Sequence, residues 1–273
     1  MTSAATLVLS RKLFSLSLFT LPLSAPFCST ILTILHSYWD WTYDYMNPQN
    51  HPIFDGSDVS LGSDGIYIPN REPRMSVAST GRTMIFPPGT GGGCVERGPF
   101  VEGEWQFNLG PVAFVNPPQG PDGGLGYNPR CMDRDLSNHF TRNLNPVNVT
   151  NLLHCQDYQC FAQTMDAGAH GLHSSGHYGV GGMQADSFVS PSDPVFYAHH
   201  GQLDRLWTIW QFMGNYTDRI NQLWGTLTSG NNPPSANATL DTVLNFGVIA
   251  DGETVRIRDV VSSIDNGLCF MYE

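Results

Sequence analysis

Charge is the first scarcity in this sequence. Asp, Glu, Lys and Arg make up 14% of its 273 residues, well under the usual quarter, and what charge there is leans acidic, with a net value of −11 and a pI near 5.1. No basic surface is available to hold phosphates, which excludes nucleic acid as a partner. The six cysteines (Cys28, Cys94, Cys131, Cys155, Cys160, Cys269) contain no CxxC pair, so a zinc ribbon or a thioredoxin-type redox site is excluded as well. No internal repeat of 20 to 50 residues is present, and no stretch marks a clear linker. Glycine and proline, by contrast, are plentiful at 28 and 19 residues. Much of the chain is therefore expected to be irregular loop, built around a real core that the 41% hydrophobic content can supply. The length allows one large domain or two small ones.

Along the chain, residues 36 to 130 are dominated by Gly, Pro, Asn and Asp, with PPGTGGGC and NPPQGPDGGLGYNP as the extremes. This part reads as ordered loops with a few short strands. Residues 131 to 166 are expected to hold one or two short helices. Asp193 and Pro194 form a helix start, a capping side chain followed by a residue suited to the first turn, and the apolar spacing of Phe196, Leu203, Leu206, Trp207 and Trp210 carries that helix to about Met213. The tail suggests a short helix and one or two strands. Three sequons, at Asn148, Asn215 and Asn237, lean towards a secreted glycoprotein. Residues 13–35 are uncharged and follow Arg11 and Lys12, in the manner of a signal peptide. Pro22, Pro26 and the many Ser and Thr make a membrane anchor the less favoured reading.

The chemistry is carried by histidines. His173 and His177, four apart, share one face of a helix. A third imidazole from the capped helix would complete a three-nitrogen site, suited to copper, zinc or iron rather than magnesium or calcium. Two candidates stand side by side there, His199 and His200. They point about 100° apart, so both do not ligate one ion, and packing alone leaves the choice open. A buried histidine needs partners for its nitrogens. Asp204, one turn beyond His200, is placed to be a supporting acceptor near the metal.

The segments LHSSGHYGVGGM and SPSDPVFYAHHGQLDRLWTIWQ resemble the copper B half of the tyrosinase family, which includes catechol oxidases and molluscan haemocyanins. SYWDWTYD, at residues 37–44, resembles the segment after that family's copper A helices. GGGCVERGPF, NLGPV and NPRC are similar in texture to fungal short tyrosinases and o-phenol oxidases. The resemblance covers about residues 37 to 272. It implies a mainly α fold, a partial di-copper four-helix bundle with long Gly/Pro-rich loops and a few short strands. It implies a copper-binding domain over 37–273, with 1–36 as a signal-like or non-homologous segment. It also implies His173, His177 and His200 as the copper ligands, with His199 beside the site, and oxidation of phenols or o-diphenols to quinones with O2. Ser174 stands where many phenol-hydroxylating members have Asn, which tilts the expected activity towards diphenols.

The family's full site holds two coppers, each on three imidazoles. Here only His36 and His51 precede residue 139, so the copper A set is expected to be missing, through a truncated gene model or true loss. One copper and an inactive chain are then expected, with a remnant that binds one metal ion or none as the alternative. Oxygen carriage ranks last, because such carriers are multi-domain arrays. His139, His154 and His170 are expected to be surface or packing residues.

Overall fold

A computed structural model of the chain describes residues 37–77, 83–101, 103, 106–108, 110, 112–114, 119–247, 252, 254–265, 268 and 270–272. The signal-like or non-homologous segment expected at 1–36 lies outside these residues. Among the described residues the regular structure is helix-rich with short strands, as the resemblance implies. The helices are α1 (Asn138–Thr141), α2 (Pro146–Leu153), α3 (Tyr158–Met165), α4 (Leu172–Val180), α5 (Val195–Met213) and α6 (Tyr216–Arg219). Strands pair two by two and antiparallel: β1 (Gly65–Tyr67) with β4 (Gly92–Val95), β2 (Arg74–Val77) with β3 (Thr83–Phe86), β5 (Phe107–Asn108) with β6 (Pro129–Arg130), and β7 (Val243–Asn245) with β8 (Thr254–Arg256). The described residues divide into two compact units, one within 39–148 and 168–199, the other within 37–38, 149–167 and 200–273.

In the first unit, order comes from charges that tie loops together. The Met132–Leu136 segment, expected to be helical, is extended instead. Val95 N–H donates to Met132 O at 2.8 Å and Gly92 N–H to Arg134 O at 2.6 Å, so the segment lies along β4. Each of its charges has a partner distant in sequence. Asp135 takes the Arg71 guanidinium and the Gly89 N–H, and Asp133 takes Arg74 and the Met183 N–H. Arg134 is fully buried. Its Nε donates to Asp193 at 2.8 Å, a second nitrogen donates to the same carboxylate at 2.8 Å, and the guanidinium also reaches the carbonyls of Leu61, Gly62 and Ser63. Asp193, also fully buried, accepts the Val195 N–H at 2.8 Å, so the cap expected of it is present and α5 starts beside it. The disulfide Cys94–Cys131 joins β4 to the start of the extended segment.

Helix α4 ends at Gly181, whose φ of 66° and ψ of −158° form an extended, positive-φ conformation that is essentially open to glycine alone. Its Val180 and Gly179 carbonyls accept from Asp135 and Ser137 N–H, which fixes α4 on the extended segment. Phe86, Phe114, Phe140 and Ala185 form a small core, with Met84 and Tyr178 against it.

The second unit is organised by aromatic stacking. Phe161 and Trp210 have ring centroids 5.1 Å apart and Tyr158 and Trp207 5.7 Å, distances at which aromatic pairs add to their burial. Trp210 Nε1 donates to Cys155 O at 2.7 Å, so the buried indole is satisfied. Cys155 is bonded to Cys160 across the start of α3, where Asp157 accepts the Cys160 N–H. Arg219 lies over the Trp210 ring at 4.4 Å. The stretch 131–166 holds three helices rather than one or two, and the tail forms the β7–β8 hairpin with no α-helix among its described residues. None of the helices of the described residues is long and apolar enough to cross a membrane.

Breaking a buried ion pair by removing one partner leaves the other charge in a dry interior, at a cost of about 3–5 kcal/mol. Asp193→Ala is expected to lower the unfolding free energy by about that amount in denaturant titrations. A loss below about 1 kcal/mol would show that Arg134 finds equal solvation elsewhere.

Candidate metal centre

His173 and His177 lie one turn apart on α4, with their Nε2 atoms 3.2 Å from each other. The third ring beside them belongs to His199. It stacks on His173 with centroids 5.9 Å apart and an interplanar angle of 16°, and it meets His177 edge-on at 4.7 Å. One nitrogen from each of the three falls within 4.8 Å of the others. His200, expected as the third nitrogen, is not among them, and His199, expected to stand beside the site, is. The reason is rotational. The start of α5 is set by Asp193 and its bond to Arg134, and with that register His199 faces α4. His200 follows about 100° round the helix and is buried.

Two backbone carbonyls orient the cluster. His177 Nδ1 is 3.0 Å from Gln184 O and His199 Nε2 is 2.9 Å from His173 O. A carbonyl only accepts, so both nitrogens carry the proton. The lone pairs then sit on Nε2 of His177 and Nδ1 of His199, as metal-ligating histidines arrange them. Gln184 also ties α4 to α5: with its side-chain oxygen towards the Phe196 N–H, it accepts at 3.0 Å while its nitrogen donates to Ser190 O.

The surroundings are aromatic. Trp41 and Trp39, from the WDW segment, stand 5.5 and 6.3 Å from His199, and Phe196 is 5.8 Å from His177. Trp39 is held by its N–H bond to Ala198 O at 2.9 Å. Desolvation here pushes His177 down to about 3, with the charge of His173 acting in the same direction and the Gln184 carbonyl opposing it. His199 is driven well below its ordinary value, first by burial and then by His177 and His173. Burial thus keeps the His177 and His199 imidazoles neutral at physiological pH, the form that binds a metal. Nitrogens about 2.0–2.1 Å from one ion lie within about 4 Å of each other. The 4.8 Å span closes to that with ring movements of under about 1 Å. The donor set therefore fits a borderline-soft transition metal such as copper.

The remaining sequence candidates have these partners. Asp204, expected as a supporting acceptor near the metal, accepts from the Tyr272 hydroxyl at 2.6 Å. His170 stacks on Phe140 at 6.2 Å with Nδ1 near Asn143. His139 is placed against Phe140 and Arg142, and His154 against Thr150 O. Tyr178 packs between Phe86 and Phe140. His51, which the sequence did not single out, is buried beside Trp39 and Phe54. The proximity of its SYWDWTYD neighbours to the doublet was the available signal.

Comparison with known proteins identifies the family. Residues 27–213 match the common central domain of tyrosinase, and the chain belongs to the tyrosinase family of copper oxidoreductases. It is 35% identical over 245 residues to oxidase hkm6 of Aspergillus hancockii, an alignment spanning 86% of this chain and 83% of that one. It is 36% identical over 259 residues to N-acetyl-6-hydroxytryptophan oxidase ivoB of Emericella nidulans, spanning 86% and 68%. The polyphenol oxidase of Thermothelomyces thermophila superposes with a TM-score of 0.82 at 32% identity, covering 99% of this chain and 72% of that one.

The depressed histidines set a pH dependence. Between pH 6.5, the ordinary value, and about 3 the unfolded chain binds protons that the folded chain refuses. Stability therefore rises with pH across that window. The metal-free protein is expected to lose stability steadily as pH falls below about 6.5, and His177→Phe to flatten the slope. A thermal midpoint constant from pH 6.5 to 4 would contradict the burial of these rings.

Proposed function

We propose that the chain is a copper-dependent oxidase of phenolic compounds, turning o-diphenols into o-quinones at the expense of O2. Each diphenol gives up two electrons and two protons, and O2 takes four of each, leaving two waters for every two quinones. The carrying observation is the gathering of His173, His177 and His199 within 4.8 Å. Copper held there would supply the redox chemistry. The chain's own groups do the rest: the carbonyls of Gln184 and His173 orient two imidazoles, while Trp39, Trp41 and Phe196 keep water from the rings. Family membership, the polyphenol oxidase fold and the oxidases among its relatives support this reading. Ser174, in place of the Asn of many phenol-hydroxylating members, favours diphenol oxidation over monooxygenase activity.

The chain is further proposed to be a secreted glycoprotein. The disulfides Cys94–Cys131 and Cys155–Cys160 suit an oxidising compartment, and the three sequons suit glycosylation there.

A second reading has its own support. Of the nine histidines in the sequence, three converge among the described residues, enough for one copper. Under this reading the 273-residue polypeptide is a one-metal remnant with negligible turnover by itself. Copper analysis separates the readings: one copper per chain with catechol oxidation no faster than free copper supports the remnant. Two coppers and robust turnover support the oxidase and overturn the remnant.

The ligand assignment has a direct check. His199→Ala is expected to weaken Cu(II) binding by about 100-fold, the upper range for disturbing a metal site's supporting groups, and His200→Ala to weaken it far less. The reverse order in a competitive chelator titration would return the third position to His200.

A further inference from the structure

The first unit encloses a cavity of about 290 Å³ that no histidine lines. Part of its wall is braced covalently, because the Cys94–Cys131 disulfide that joins β4 to the extended segment faces into it. The apolar lining comes from Met183 and Val189, packed together with Val112 against them, and from Phe114, held edge-on to Phe86 at 5.2 Å. Small-ligand pockets run from about 300 to 1,000 Å³ and are mostly apolar with a few placed polar groups. A cavity at the lower end of that range suits a single ring with a short arm.

The polar lining decides what the arm carries. Asp186 has its carboxylate committed to the N–H groups of Ala113, Phe114 and Phe188, at 2.7, 2.8 and 2.8 Å. Asp133 is occupied by the Arg74 guanidinium and the Met183 N–H. With both carboxylates engaged, the surplus is in donors. Arg130 lines the cavity with, among the described residues, only its Nε engaged, 3.1 Å from Asn128 Oδ1. Arg74 lies 6.0 Å from the centroid of the Phe114 ring, so positive charge stands beside the aromatic wall. A guanidinium presents paired donors that match a carboxylate.

We propose that this cavity is a binding site for a small aromatic carboxylate, its ring against Phe114, Met183 and Val189 and its carboxylate on Arg130. The site is independent of the copper reading, since it uses neither a metal nor a histidine.

The test uses the full-length chain, metal-free and copper-loaded, with hydrocinnamate as the probe because it carries no phenol to oxidise. Binding is followed by isothermal titration and by the resonances of methyl-labelled methionines, with Met183 assigned through Met183→Leu. Saturable binding is expected with a dissociation constant below about 5 mM, equal with and without copper, and with the Met183 signal moving most. Hydrocinnamide, of the same shape but uncharged, is expected to bind about tenfold more weakly. Arg130→Gln should weaken hydrocinnamate by a similar factor with an unchanged thermal midpoint, since Arg130 is exposed. Val112→Trp, which fills the cavity, should abolish binding. If that variant fails to fold, Arg130→Gln and the amide decide. Weaker or non-saturable binding by the wild type overturns the proposal, as does equal affinity for the amide or unchanged affinity in Arg130→Gln. Binding confined to the copper-loaded chain also overturns it, because the carboxylate would then sit on the metal.

Discussion

The guanidinium of Arg134 makes five polar contacts in a fully buried setting, two to Asp193 and three to the carbonyls of Leu61, Gly62 and Ser63. Few side chains could substitute, because only a planar fork of donors satisfies a carboxylate and three carbonyls at once. Desolvating such a pair is costly, and its return is specificity of arrangement rather than net stability. Here the arrangement is that of the site. Asp193 accepts the Val195 N–H, so the ion pair fixes where α5 begins. That start decides which histidine of the doublet faces α4.

Around the metal centre the same logic continues with neutral groups. Burial makes a charged imidazole unfavourable, and carbonyls from Gln184 and His173 hold two of the protons in defined places. The aromatic walls come from segments far apart in the chain. Trp39 and Trp41 arrive on an irregular stretch whose position depends on the bond from Trp39 N–H to Ala198 O. Loop and helix are therefore mutually dependent: the loop shields the ring, and the helix backbone anchors the loop.

What could be read beforehand follows a physical division. Local signals were legible. Asp193 before Pro194 announced a helix start, apolar spacing carried it to Met213, and His173 with His177 declared a shared helix face. Long-range partnerships were not. The Met132–Leu136 segment lies in a stretch expected to hold one or two short helices, whereas its structure is decided by partners 59 and 64 residues away. Which ring of the doublet stands nearest His173 and His177 turns on a single step of rotation, which a capping signal cannot resolve to within a residue.

The bond from His199 Nε2 to the carbonyl of His173 joins one proposed ligand to the backbone of another. Thermal displacement of α4 at that point carries both rings in the same direction, so the distance between their nitrogens varies less than the position of either. The cluster is in this sense self-referenced. Its internal spacing is measured from its own peptide chain, and drift of the surrounding loops reaches it as translation rather than as shear.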